Sequence, residues 1–315
     1  MTDSKNKIKS SKYREYDKYE DYIIKKLDSE FSHLLIFYEN FCRENKIKHY
    51  AIEMPKIKFE EFDNSIDENK IAKYRPYQNT IIFGIDQIPY LVNADNKNKD
   101  VLNKQIDIFI GHELGHHLLY NINPDELISM RIRNFEKSNN DIYNDPYIKN
   151  NESLAQLIGV SLSQSSRNMP INNEALAYEL LDNVQFCLDA ALRCYKEDRK
   201  TLNKNYYSED DKKYLKHYLI KDFNNDIKII EIYLNSFVAL SHILIKNNDS
   251  LIKFIKQGID KPDKLNEELS KNYIIGTKNS FKSSYEDIMP CYIDIINIYK
   301  EKIDKIKKYK NLLRQ

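Results

Sequence analysis

From Tyr16 to Arg43 the apolar residues Tyr19, Ile23, Leu27, Leu34, Phe37, Tyr38 and Phe41 recur at three- and four-residue steps. That period predicts an amphipathic helix. Residues 1 to about 15 ahead of it read as a charged, solvated tail. After Lys48 the pattern changes. Short apolar runs at Tyr50–Met54, Ile57–Phe62 and Thr80–Ile85 are punctuated by Pro55, Pro76 and Pro89, and read as strands joined by Asn/Asp-bearing turns. A polar loop, Asn93–Asp100, follows. Helical spacing then returns over Val101–Tyr120, with Leu102, Ile106, Phe109, Ile110, Leu114 and Leu118 on a common side.

Beyond this point strand signals almost vanish. Helical periodicity marks Asn151–Gln164, Asn173–Lys200, Asp210–Lys221, Ile227–Lys246, Ser250–Lys256 and Tyr285–Leu313. The expected class is therefore α+β, with a mixed half over 1–205 and an all-helical half over 206–315.

Composition narrows the functional classes. Lys+Arg 49 against Asp+Glu 48 leaves a net charge of +1, so no basic excess points to nucleic acid or an anionic membrane surface. The N-terminus has no apolar h-region, and the most apolar stretch, Ile232–Ile245, is too short for a membrane span. A cytoplasmic protein is expected. Cys42, Cys187, Cys194 and Cys291 form no CxxC pair and read as reduced thiols. His33 and His49 read as surface or structural histidines.

Three of the 7 histidines fall in Gly111-His112-Glu113-Leu114-Gly115-His116-His117, inside the predicted Val101–Tyr120 helix. Residues four apart share a helix face, so His112 and His116 can reach one metal ion, and imidazole nitrogens suit Zn2+. Glu113 stands one step round the helix, placed to take a proton from water beside that ion. Gly115 lets another element pass close, while Leu114 and Leu118 anchor the helix. His117 faces away from the His112/His116 row. A catalytic zinc needs a third protein ligand. No histidine follows closely enough for HExxHxxGxxH, and His217 and His242 are distant, which points to a carboxylate.

Downstream stands Asn151-Glu152-Ser153-Leu154-Ala155-Gln156-Leu157-Ile158-Gly159. With HExxH before it, this resembles the gluzincin, thermolysin-like zincin peptidases, whose third ligand is the Glu of an NExxSD-type motif. The resemblance covers roughly residues 70–165 and implies a zincin-like fold, Glu152 as ligand, and a zinc-dependent peptidase. In such an enzyme Glu113 assists the attack of water on a peptide bond. Gln156 departs from the usual Asp behind a ligand histidine; its carbonyl can accept the same N–H without the charge. A second Asn-Glu-x-x-Ala segment, starting at Asn173-Glu174, is similar to the Ala-rich ligand helix of ImmA-like peptidases. It keeps Glu174 in reserve behind Glu152.

The same resemblance implies an edge strand that pairs with peptide substrate, placed at Gln78–Gly84. It also implies an oxyanion-stabilising tyrosine before the ligand Glu, for which Tyr143 is preferred over Tyr147. The partner would be a peptide or protein substrate. Two rivals stand beside this reading. One is a non-catalytic zincin-like module with a structural zinc site, acting in protein–protein interaction or regulation. The other is a latent or regulated peptidase whose helical half covers the cleft or recruits a dedicated substrate. A deaminase-type zinc site is disfavoured, because no PCxxC follows the H-x-E element.

Overall fold

The computed structural model describes residues 17–61, 71–85, 99–124, 146–184, 186–187, 235–247 and 249–271, together with 301 and 304. These residues form an α+β protein that is mostly helical. The helices are α1 (Asp17–Asn45), α2 (Lys99–Ile122), α3 (Pro146–Ser166), α4 (173–184), α5 (Asn235–Lys246), α6 (Leu251–Asp260) and α7 (Pro262–Lys271). The strands are β1 (Lys56–Glu60), β2 (Ala72–Arg75) and β3 (Thr80–Gly84).

Helix α1 is amphipathic as its spacing predicts. Ile23, Leu27, Phe31, Leu34, Tyr38 and Phe41 are buried, while Ile24 and Ile36 on other sides are exposed. Each large apolar side chain removed from water contributes roughly 1.5–3 kcal/mol. This row packs on α2 and α3. Ile81 and Phe83 of β3 belong to the same apolar cluster.

The sheet order is β1-β3-β2. β1 runs parallel to β3, with Lys56 opposite Thr80 and Glu60 opposite Gly84. β2 runs antiparallel to β3, with Ala72 opposite Phe83 and Arg75 opposite Thr80. A short 3-10 turn, Pro76–Gln78, joins β2 to β3 and ends at Asn79, which adopts φ 44 and ψ 55. Asparagine is among the residues that tolerate this left-handed geometry.

The expectation that Gln78–Gly84 forms an edge strand is overturned: β3 is central, with a partner on each side. Its sequence explains the correction. All five residues of Thr-Ile-Ile-Phe-Gly are buried, and a run apolar on both faces belongs inside a sheet. Tyr50–Met54, read as a strand, has no regular structure. Tyr50 and Met54 are exposed, and side chains meet part of the segment's backbone. The Tyr50 N–H donates to Tyr38 Oη at 3.4 Å, and Asn79 Nδ2 donates to the Glu53 carbonyl at 3.4 Å.

The described helices beyond residue 206 are not separate from this core. Leu240, Leu244, Phe254, Ile255, Leu265 and Leu269 belong to the same apolar cluster as Leu27, Leu114 and Leu154. Helix α7 packs on α3 and α5, and α6 on α1. Among the described residues no helix is long and apolar enough to cross a membrane. Cys42 and Cys187 are free thiols, and the predicted helices over 210–221 and most of 285–313 lie outside the described residues.

Candidate metal centre

Helices α2 and α3 approach more closely than ordinary side chains permit, and glycine is the reason. A Cβ on Gly111 would stand 2.7 Å from the Gly159 carbonyl oxygen, and one on Gly159 would stand 2.5 Å from the His112 nitrogen. One turn along, a Cβ on Gly115 would stand 2.5 Å from the Ala155 carbonyl oxygen. The backbones therefore touch along the stretch that bears the HExxH residues. Side chains leaving α2 and α3 beside this seam converge over a short distance.

Three of them do. His112 Nε2 and His116 Nε2 are 3.1 Å apart. Glu152 Oε2, from α3, lies 3.2 Å from the first and 3.5 Å from the second. The three groups are partly buried and form a set able to hold a metal ion. A tetrahedral zinc with bonds of about 2.0–2.1 Å keeps its ligand atoms roughly 3.3 Å apart. The observed triangle has that size, and the donors are the nitrogen and oxygen types that zinc accepts.

The electrostatics suit a cation. Burial works against charge on His116, but the Glu152 carboxylate beside it, the Glu113 charge and the Asn151 hydrogen bond together raise its pKa to about 9. Burial also works against ionised Glu152, yet the His116 charge and hydrogen bonds from both imidazoles hold it well below the usual carboxylate range. The pocket thus favours one positive charge enclosed by a permanent carboxylate.

Each imidazole is backed on its far nitrogen. Gln156 Oε1 lies 2.8 Å from His112 Nδ1, the contact foreseen from the departure at this position. Asn151 Oδ1 lies 2.7 Å from His116 Nδ1. Such partners orient a ligand ring and leave its other nitrogen free for a metal. In the sequence Asn151 is only a motif match beside Glu152, and that adjacency places its side chain in the site.

Glu113 is 7 % exposed and stands outside the triangle, its charge felt by His116. His117 faces away, as the sequence suggests: its Nδ1 lies 2.8 Å from Tyr74 Oη of β2. Burial lowers the His117 pKa to about 4, which keeps the ring neutral. His33 is likewise structural, its Nδ1 2.9 Å from Ser165 Oγ. Glu174 is exposed in the first turn of α4 and is not part of the His112, His116 and Glu152 group. Asn172, just before it, caps that helix by accepting from the Ala175 N–H at 2.8 Å. Tyr143 and His217 lie outside the described residues, and Tyr147 is half-buried on α3. No protein-family model, no curated protein and no solved structure matches the chain.

Proposed function

We propose that this chain is a zinc-dependent peptidase with a zincin-like, gluzincin-type site. The observation that carries the proposal is the triangle of His112 Nε2, His116 Nε2 and Glu152 Oε2, with sides of 3.1, 3.2 and 3.5 Å. Those residues would hold the ion, with Gln156 and Asn151 fixing the two rings. A bound zinc supplies Lewis acidity, which polarises a carbonyl and makes water acidic near neutral pH.

Glu113 is the group left over for proton transfer. It follows a ligand histidine directly, is largely shielded from solvent, and is not itself part of the ligand triangle. In hydrolysis it takes a proton from the attacking water as the oxygen–carbon bond forms. It returns that proton to the nitrogen as the carbon–nitrogen bond breaks, releasing an amine and a carboxylic acid.

Peptide placement falls to β2 in this reading. Among the described residues β2 pairs on one side only, with β3, and it packs against α2. The Tyr74–His117 hydrogen bond ties that strand to the HExxH helix. A peptide added to an exposed strand edge gains main-chain hydrogen bonds without sequence preference.

The test combines metal analysis with peptide digestion by the full-length chain. One zinc per chain, chelator-sensitive cleavage, and a Glu113→Gln variant that keeps zinc but not activity are expected. Absence of stoichiometric zinc would sink the reading. The second reading, a non-catalytic module, is favoured by the uncharged amides behind both histidines. Tightly held zinc with no cleavage at any pH would select it.

A further inference from the structure

Gln156 does more than touch His112. Its Nε2 donates to Asn183 Oδ1 of α4 at 2.9 Å, and Asn183 Nδ2 donates to Gln105 Oε1 at 2.7 Å. Gln105 lies on α2, two turns before His112, so the chain of amides leaves α2 at His112 and returns to it through α3 and α4. Gln156, Asn183 and Gln105 are all at most 3 % exposed. Three buried carboxamides in series are unusual, because each must find both donors and acceptors away from water.

Such a chain has a direction. In the observed one every amide oxygen receives an N–H, so His112 donates from Nδ1 to Gln156 Oε1, which leaves Nε2, the nitrogen beside Glu152 and His116, as the one available to a metal. In the opposite direction Gln156 would donate to Nδ1, the ring proton would move to Nε2, and His112 could not ligate a metal. Gln105 Nε2, at the far end, has no hydrogen-bond partner among the described residues. The unmade bond is therefore left at the end remote from the metal ligands.

We infer that Asn183 and Gln105 are positioning residues for the metal centre, holding His112 in its ligating tautomer and orientation through Gln156. The inference rests on the metal-centre reading above and deepens it. It assigns a role to two residues that lie outside the His112, His116 and Glu152 group. With Asn151 behind His116, the side chains hydrogen-bonded to the far nitrogens of the two imidazoles among the described residues are both uncharged amides.

Zinc affinity of the full-length chain, measured by competition with a chromophoric chelator, tests this. Measurement is made below the unfolding range of each variant, so that loss of stability alone does not change the result. Asn183→Leu removes both bonds at the centre of the chain and should weaken zinc about 10–100-fold, the usual effect of losing a partner behind a ligand. Asn183→Asp still accepts from Gln156, while Gln105 can turn over and present its unused Nε2; affinity should return to within a few-fold of the parent. Gln105→Leu, seven residues from His112 on the same helix, decides the matter should Asn183→Leu not fold, and should also weaken zinc measurably. Leucine variants that are folded and bind zinc within twofold of the parent overturn the inference while leaving the metal centre intact. A parent chain that binds no zinc overturns both, and is a distinct result.

Discussion

Gly115 faces the backbone of Ala155 so closely that a methyl group on it would stand 2.5 Å from the Ala155 carbonyl oxygen and 2.8 Å from its Cα. No rotamer change relieves such a clash, because both obstacles are main chain. Glycine to alanine inside a helix ordinarily gains roughly 0.5–1 kcal/mol from backbone entropy. Overpacking costs about 1–3 kcal/mol and prevails here. Gly115→Ala should therefore lower stability and, by pushing α2 from α3, lower metal affinity too. Gly258→Ala is the control: the atoms nearest its added methyl would be the side-chain ends of Leu265 and Leu154, which can move, rather than main chain. Equal thermal midpoints for the two variants would contradict this account of the seam.

The choice between the two candidate glutamates is open to a direct experiment. Glu152 Oε2 lies within 3.5 Å of His112 Nε2 and His116 Nε2, whereas Glu174 is exposed outside the group. Glu152→Gln should weaken zinc by more than the roughly 10–100-fold attached to an outer partner. Glu174→Gln should leave affinity unchanged. The reverse ranking in a metal titration would move the third ligand to α4.

The HExxH spacing made His112, Glu113 and His116 legible, since a helix alone brings residues four apart together. Glu152 was legible through the resemblance of Asn151–Gly159 to an NExxSD-type motif, which implies a ligand Glu at that position. The Gln156 contact was legible as an acceptor replacing an acid. Asn183 was not. Its tie to Gln156 joins helices through packing that no local pattern encodes, and nothing in Leu181–Val184 sets it apart from any buried polar residue. The strand errors have a physical source as well. Tyr50–Met54 has aromatic and apolar residues but buries little of them, while β2 reads as Ala-Lys-Tyr-Arg and becomes a strand through pairing with β3. Helix α7 lay hidden among polar residues, its N-terminal Pro262 and the pair Leu265 and Leu269 being its clues. The boundary drawn near residue 205 marks a change in pattern, while the core is continuous across it.

Glu30 gives the fold a pH dependence of defined sign. Its side chain is fully buried, Ser166 Oγ donates to one oxygen at 3.1 Å, and the other oxygen has no hydrogen-bond partner among the described residues. Burial first, then the charge of Asp107, raise its pKa well above the ordinary value, against the opposing effects of Ser166, Lys26 and Arg167. Asp107 is itself held by Tyr22 Oη at 2.9 Å and Lys26 Nζ at 2.8 Å. A carboxyl whose pKa is higher in the folded state binds a proton there that the unfolded chain has released. Its stabilisation is complete below the ordinary carboxyl range and is lost as pH rises through the folded-state value. Glu30→Gln cannot ionise. Chemical denaturation should find it within about 1 kcal/mol of the parent near pH 5 and relatively more stable at pH 8. A variant that instead loses ground as pH rises would show that Glu30 is ionised in the fold.

Tyr74 links the strand assigned to peptide with the helix assigned to metal. Its hydroxyl donates to Asn79 Oδ1 at 3.2 Å and lies 2.8 Å from His117 Nδ1. The tyrosine ring also meets the His117 ring edge-on, with centroids 5.2 Å apart. Tyr74→Phe keeps that ring contact but leaves a buried imidazole nitrogen without its partner, at a cost of about 1–3 kcal/mol. Thermal stability should fall by several degrees while zinc affinity holds, because no ligand or amide behind a ligand is touched. If a peptide pairs along β2, loosening that strand should raise KM more than it lowers kcat, since binding registers the strand's position and the chemistry depends on Glu113 and the metal ligands. An unchanged KM in a variant of measurably lower stability would remove β2 from the substrate path and leave the metal centre where it stands.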